Sequence, residues 1–146
     1  MSFKIEGTED ILNILEKSGP RHARNLMRAA IHGVAGRITK DAKRRAPKDS
    51  GDLKKAIKTK RKKSPPNAPV SDVMVEHGGN AKHDAFYWRF QEFGTGGDNP
   101  QPEQPFIRPA AEEVRSDFEN ILKEEFGLKL EKALAREAKR NAKRGL

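Results

Sequence analysis

Six of the nine aromatic residues of this chain fall between Phe86 and Phe106. The sequence is 34% hydrophobic and 35% charged, so few other stretches carry enough apolar area to organise a core. Any fold has to be arranged around this one. It reads Phe86-Tyr87-Trp88-Arg89-Phe90-Gln91-Glu92-Phe93-Gly94-Thr95, then a Gly/Asn/Pro segment, then Pro105-Phe106-Ile107-Arg108-Pro109-Ala110. At about 100° per residue the first part predicts a helix with Phe86, Phe90 and Phe93 on one face and Tyr87 beside them. Trp88 and Glu92 project the other way. The four phenylalanines, Phe106 included, are therefore expected in the core, with Gly94 as the left-handed residue that closes the helix. Trp88 is read in two ways, as an exposed interface anchor or as a side chain covered by the C-terminal helix.

The rest of the chain reads as one domain at 146 residues. Phe3-Lys4-Ile5 alternates as a short strand, and Thr8 suits the cap of a short helix with Ile11, Ile14 and Leu15 on one face. Gly19-Pro20 ends that helix. A long one follows from about Pro20 to Ala46, where Ala23, Leu26, Met27, Ala30, Ile31, Val34, Ile38 and Ala42 form an apolar stripe. Gly33 and Gly36 inside it each cost about 1 kcal/mol relative to Ala, which predicts close approach of another backbone. Pro47 stops the helix, and Asp49-Ser50-Gly51 reads as a tight turn leading to Leu53 at a strand entry. Ala56–Lys60 and Val70–Glu76 read as strands, joined by an exposed loop over 60–69 that holds Lys60, Arg61, Lys62, Lys63 and three prolines. A last helix starts near Ile107 or Pro109, with Ala110, Val114, Phe118, Ile121 and Leu122 as its stripe. Gly127 is expected to bend it, and a basic helical extension over 128–146 to follow the domain of residues 1–127.

Charge is unevenly placed. Residues 21–63 hold 16 Lys/Arg against three Asp/Glu, whereas the remainder is net acidic, and the whole chain is +9. Such a chain seeks a polyanion, or the acidic surface of another protein or of another copy of itself. Cysteine is absent, which excludes disulfides and thiolate metal sites. The N-terminus has no apolar signal-peptide core and no run reaches membrane-spanning length, so a soluble, unexported chain is expected.

Enzyme chemistry finds no purchase. Gly94-Thr95-Gly96-Gly97 lacks the Gly-Lys-Ser/Thr end of a phosphate loop. His22, His32, His77 and His83 have no zinc-type spacing, and Ser50 and Ser64 have no legible His or Asp partners. No catalytic residue, metal or cofactor is expected.

Three blocks in order, Ala46-Pro47-Lys48-Asp49-Ser50-Gly51-Asp52-Leu53, Tyr87 through Glu92-Phe93-Gly94-Thr95, and Pro105-Phe106-Ile107-Arg108-Pro109-Ala110, resemble a siphophage tail-completion family. This is the gene-product-ten-like group of head–tail joining, or neck, proteins, similar to the lambda minor tail protein Z group. The resemblance spans roughly residues 3 to 122, with Pro47, Asp49, Gly51, Leu53, Tyr87, Phe93, Gly94, Thr95, Phe106 and Pro109 as its fold motif. It implies an α+β fold, with a small antiparallel sheet packed against a long N-terminal helix, and a C-terminal helix. It also implies a non-enzymatic virion protein at the head–tail junction, present in the host cytoplasm during assembly. Such a protein assembles as a ring, contacts other neck and tail proteins, and has no membrane partner. The chain departs from the family in Trp88, in the lysine-rich 60–63 loop and in its basic C-terminal end.

Glu92 and Arg108 are read as a pair, as charges that meet an opposite charge on a neighbouring subunit, or as two solvated charges. Two other functions compete with the neck reading. One is a small nucleic-acid-binding protein using Lys58–Lys63 and the arginines of the long helix, a reading that merges with the first if the basic loop faces DNA in the channel. The other is a tail-terminator ring.

Overall fold

The computed structural model describes residues 8–47, 51–65, 68–79 and 84–145. The readings made for Phe3–Ile5, for Thr8, Ile11, Ile14 and Leu15 as side chains, for Asp49 and for His83 lie outside what is described. The architecture is mixed α+β and mostly helical. Helix α1 spans Thr8–Arg45, α2 Gly51–Ala56, strand β1 Ile57–Arg61, β2 Ser71–Val75, α3 Trp88–Phe93, α4 Ile107–Ser116 and α5 Phe118–Lys143.

Helix α1 is two helices joined at a kink, because Gly19 has φ 74° and ψ −179°, outside helical geometry. The break falls where Gly19-Pro20 predicts it. Pro47 follows the last helical turn, and Leu53 is buried. It sits in the one-and-a-half-turn helix α2, where the sequence reads only a turn and strand entry.

Strands β1 and β2 pair antiparallel, with Ile57 opposite Val75, Thr59 opposite Val73 and Arg61 opposite Ser71. Period-two alternation decides which side faces α1. Ile57 is buried and Thr59 partly so, while Lys58 and Lys60 point to solvent. The Thr59 hydroxyl lies 2.6 Å from that of Thr39 on α1, and Ser71 Oγ lies 3.3 Å from Nδ1 of His32. Going from Thr39 to His32 moves towards the start of α1, so the tip of the hairpin points that way.

The main core joins Ala42 and Ala46 of α1, Leu53, Ala56, Ile57, Val75, Ala85, Phe106 and Ala110. Small alanines bring the backbones close, and Phe106 and Leu53 supply much of the bulk. A second, smaller cluster forms around Leu26 of α1 and Leu130 of α5, with Phe126, Ala133 and Leu134 against it. Between the two, α1 and α5 meet through charge. Arg37 donates to Glu125 at 2.7 Å and approaches Glu124 at 2.8 Å. Gly33 makes this possible, since a Cβ there would lie 2.2 Å from Glu125 Oε2. The close approach expected at Gly33 is thus to a carboxylate and not to a backbone. Gly36 faces nothing within 4 Å, so no packing reason applies to it.

The C-terminal helix is broken at Asp117 (φ −130°, ψ 30°) and not at Gly127. The Asp117 carboxylate takes the side-chain amide of Asn120 at 2.7 Å, and its carbonyl accepts from Ile121 N–H, starting α5 afresh. Phe118 therefore leaves the expected stripe and is exposed. Helix α5 runs unbroken across residue 127, and beyond it Leu130 still packs on α1.

Candidate interaction surface

The aromatic stretch folds as one short helix between two fixed points. Ala85 is fully buried and accepts from Trp88 N–H, so Phe86 and Tyr87 form the turn that leads into α3. At the other end Gly94 takes φ 73° and ψ −176°, a positive-φ conformation but with ψ far from the left-handed helical value expected of it. A Cβ there would stand 2.8 Å from Gln101 O and 3.0 Å from Glu103 N, so glycine is required twice over. The loop beyond returns on itself. Thr95 N–H donates to Gln101 O, Thr95 Oγ1 accepts from Gln101 N–H, and Gln104 N–H donates to Gln91 O.

With α3 only six residues long, the wheel drawn for a helix from Phe86 does not apply. Its inward residue is Glu92, 1% exposed. The carboxylate accepts the backbone N–H groups of Phe106 (2.8 Å), Ile107 (3.0 Å) and Arg108 (2.9 Å). These are three of the four amides that the start of α4 leaves without helical partners, and the fourth residue, Pro109, has no N–H to satisfy. Phe106, at the cap position, has no side-chain acceptor of its own, so Glu92 supplies the cap from fourteen residues away. Arg108 completes the lock. Its Nε donates to Glu92 Oε1 at 3.1 Å, and one terminal nitrogen donates to the Glu92 carbonyl and to Glu103. Burial alone would raise the Glu92 pKa. The amides of Ile107, Phe106 and Arg108, with the Arg108 guanidinium, outweigh that and hold it below the ordinary carboxyl range.

Turning Glu92 inward turns the phenylalanines outward. Phe86, Phe90 and Phe93 are 68%, 56% and 58% exposed, and of the four expected in the core only Phe106 is there. Trp88 is the reverse case. It packs against the core with Tyr87, under the Arg89 guanidinium at 5.4 Å, and is not an exposed anchor. Phe86 meets Tyr87 edge-on, and the Arg108 guanidinium lies 4.8 Å above the Phe93 ring. A shallow groove continues this surface, lined by Phe90, Gln91, Thr95, Gln101, Pro102 and Gln104.

Clustered, exposed aromatics flanked by arginines have the composition of protein–protein contact points. The sequence clue to the inward Glu92 is the uncapped start of Pro105-Phe106-Ile107-Arg108-Pro109, which needs an acceptor from elsewhere. Lys60, Arg61, Lys62 and Lys63 lie apart from this surface, on the exposed edge and tip of the hairpin, with Lys62 3.2 Å from Asp72.

Against known proteins, the family model of bacteriophage HK97-gp10-like tail components matches residues 9–94, well over half of the chain. The match takes in the Ala46–Leu53 block and the aromatic helix, and stops at Gly94. No curated protein and no solved structure matches the chain. No helix among the described residues is long and apolar enough to cross a membrane.

Proposed function

Because the chain belongs to the HK97-gp10-like family of bacteriophage tail components, we propose that it acts at the head-proximal end of the tail, where copies assemble as a ring that joins tail to head. The observation that supports this reading is the solvent-facing triad of Phe90 and Phe93 on α3 and Phe86 in the turn before it, a segment that Glu92 ties to the start of α4. A ring needs a heterologous contact, in which one face of a copy meets a different face of the next. The triad carries Arg89 and Arg108 beside it. The break between α4 and α5 exposes Phe118 between Asp117 and Glu119, a complementary mix of apolar and acidic groups. The neighbouring copy therefore docks its α4–α5 corner on the triad, and neck and tail proteins meet the faces of the ring.

The double variant Phe90→Ser/Phe93→Ser tests this. Both side chains are mostly exposed, so its melting temperature stays within a few degrees of the parent. Sedimentation at high protein concentration, or assembly on purified tails, is expected to give rings with the parent and monomers with the variant. Rings formed equally well by both would exclude the triad as the contact. A gene lying between those for the portal or capsid and the major tail protein distinguishes the neck reading from a free-standing nucleic-acid-binding protein.

A further inference from the structure

The hairpin tip and the middle stretches of α1 and α5 converge on one point, His32. Its Nδ1 touches Ser71 of β2 at 3.3 Å, and the charges of Arg61 on β1 and Lys129 on α5 both act on its ring. Helices α1 and α5 run antiparallel here, Leu26 against Leu130 and Gly33 against Glu125. They leave between them a cleft lined by His22, Asn25, Leu26, Ala29, Lys129 and Arg136. Arg61, Lys62 and Lys63 stand exposed on one side of this junction; on the other, Arg136 is exposed and Lys129 half-buried, at the rim of the cleft. Asp72 engages Lys62 and Glu125 lies 4.0 Å from Lys129, so the local acids offset only part of the charge.

We propose that this three-element junction is a binding surface for the phosphate backbone of duplex DNA, with Arg61, Lys62, Lys63, Lys129 and Arg136 as the contacting cations. Two features favour DNA over an acidic protein surface. Lysine is depleted at protein–protein contacts, whereas three of the five cations here are lysines, and Phe126, the aromatic residue of this seam, is packed against Leu26 and Leu130 and is not exposed as an anchor. The same lack of an exposed aromatic argues against single strands, whose bases stack on such side chains. Cations from two separate elements, the hairpin and α5, suit a rigid, repeating array of phosphates, and binding is independent of sequence.

His32 provides an internal reporter. Burial first, then Arg61 and Lys129, hold its pKa below the usual imidazole value, and a phosphate backbone laid across the junction offsets the two cations and raises it. The surface is separate from the phenylalanine triad, so this inference and the ring reading fail independently.

The test uses the full chain and a fluorescent 30-base-pair duplex, titrated by anisotropy over a series of salt concentrations. Affinity is expected to fall linearly in log–log form. Arg61→Gln/Lys62→Gln/Lys63→Gln makes the slope shallower by about 2–3 and Lys129→Gln/Arg136→Gln by about 2, at roughly 0.9 for each phosphate no longer neutralised. Lys40→Gln/Lys55→Gln, on exposed positions elsewhere, leaves it unchanged. Nuclear magnetic resonance of His32 is expected to show its pKa rising on addition of duplex. Absence of duplex affinity at low salt, equal affinity for a polyglutamate peptide of matched charge, equal losses in the control variant, or an unmoved His32 would each overturn the proposal.

Discussion

Glu92 shows how one buried charge can hold a local fold together. A carboxylate withdrawn from water is unfavourable unless its oxygens are fully engaged, and here three amides and a guanidinium engage them. Glu92→Gln keeps the shape but removes the charge, and it turns an amide N–H towards groups that are themselves donors. Urea unfolding at pH 7 is expected to show a loss of about 3 kcal/mol. The acid dependence follows from the direction of the pKa shift. In the fold the carboxyl ionises more readily than in the unfolded chain, so its stabilisation is complete above the ordinary value of about 4.3 and disappears as pH falls through the lower folded value. The difference between parent and variant therefore shrinks from pH 7 to pH 3, and a constant difference would refute the assignment. Sequence reading offered a Glu92–Arg108 pair only beside the alternative of two solvated charges, and placed the phenylalanines inside. A helical wheel assumes a helix of known extent, and Ala85 and Gly94 confine this one to six residues. With a helix that short, the satisfaction of the next helix's amides decides which side faces in.

At the scale of elements, the seam between α1 and α5 alternates an apolar contact at Leu26–Leu130 with a charged one at Arg37, Glu124 and Glu125. Gly33 and Gly36 separate the two effects a helical glycine can have. Gly33→Ala pushes its methyl into the Glu125 carboxylate and displaces it from Arg37, so a net loss of about 1–2 kcal/mol is expected despite the better helix propensity. Gly36→Ala meets nothing and is expected to gain up to about 1 kcal/mol. Chemical denaturation of both variants checks this, and shifts of the same sign would contradict the seam as described. The long helix, its Gly19 break and the hairpin were legible because they rest on periodicity and on Gly-Pro punctuation. Helix α2 was not, since a stretch as short as Gly51–Ala56 offers too few residues for a period to appear. The break before Phe118 was missed for a related reason. The apolar spacing runs on through Ser116-Asp117, and only the affinity of Asp for a helix start marks the place.

Across the whole molecule, the uneven charge seen in the sequence resolves into separate faces: cations at the hairpin tip and along α5, Asp117 and Glu119 beside Phe118 at the α4–α5 corner, and phenylalanines on α3 and the turn before it. The sequence carried the sign of each region but not their arrangement, which follows from the antiparallel course of α1 and α5. The loop after Gly94 has a practical consequence. Hydrogen bonds clamp both of its ends, at Thr95–Gln101 and Gln91–Gln104, while Gly96 and Gly97 touch nothing and Asp98 to Pro100 are exposed. A peptide epitope spliced between Gly97 and Asp98 is expected to shift the melting temperature by no more than a few degrees, as scanning calorimetry will show. The segment is thus a natural port for a gold or antibody label, through which electron microscopy can locate each copy along the virus particle.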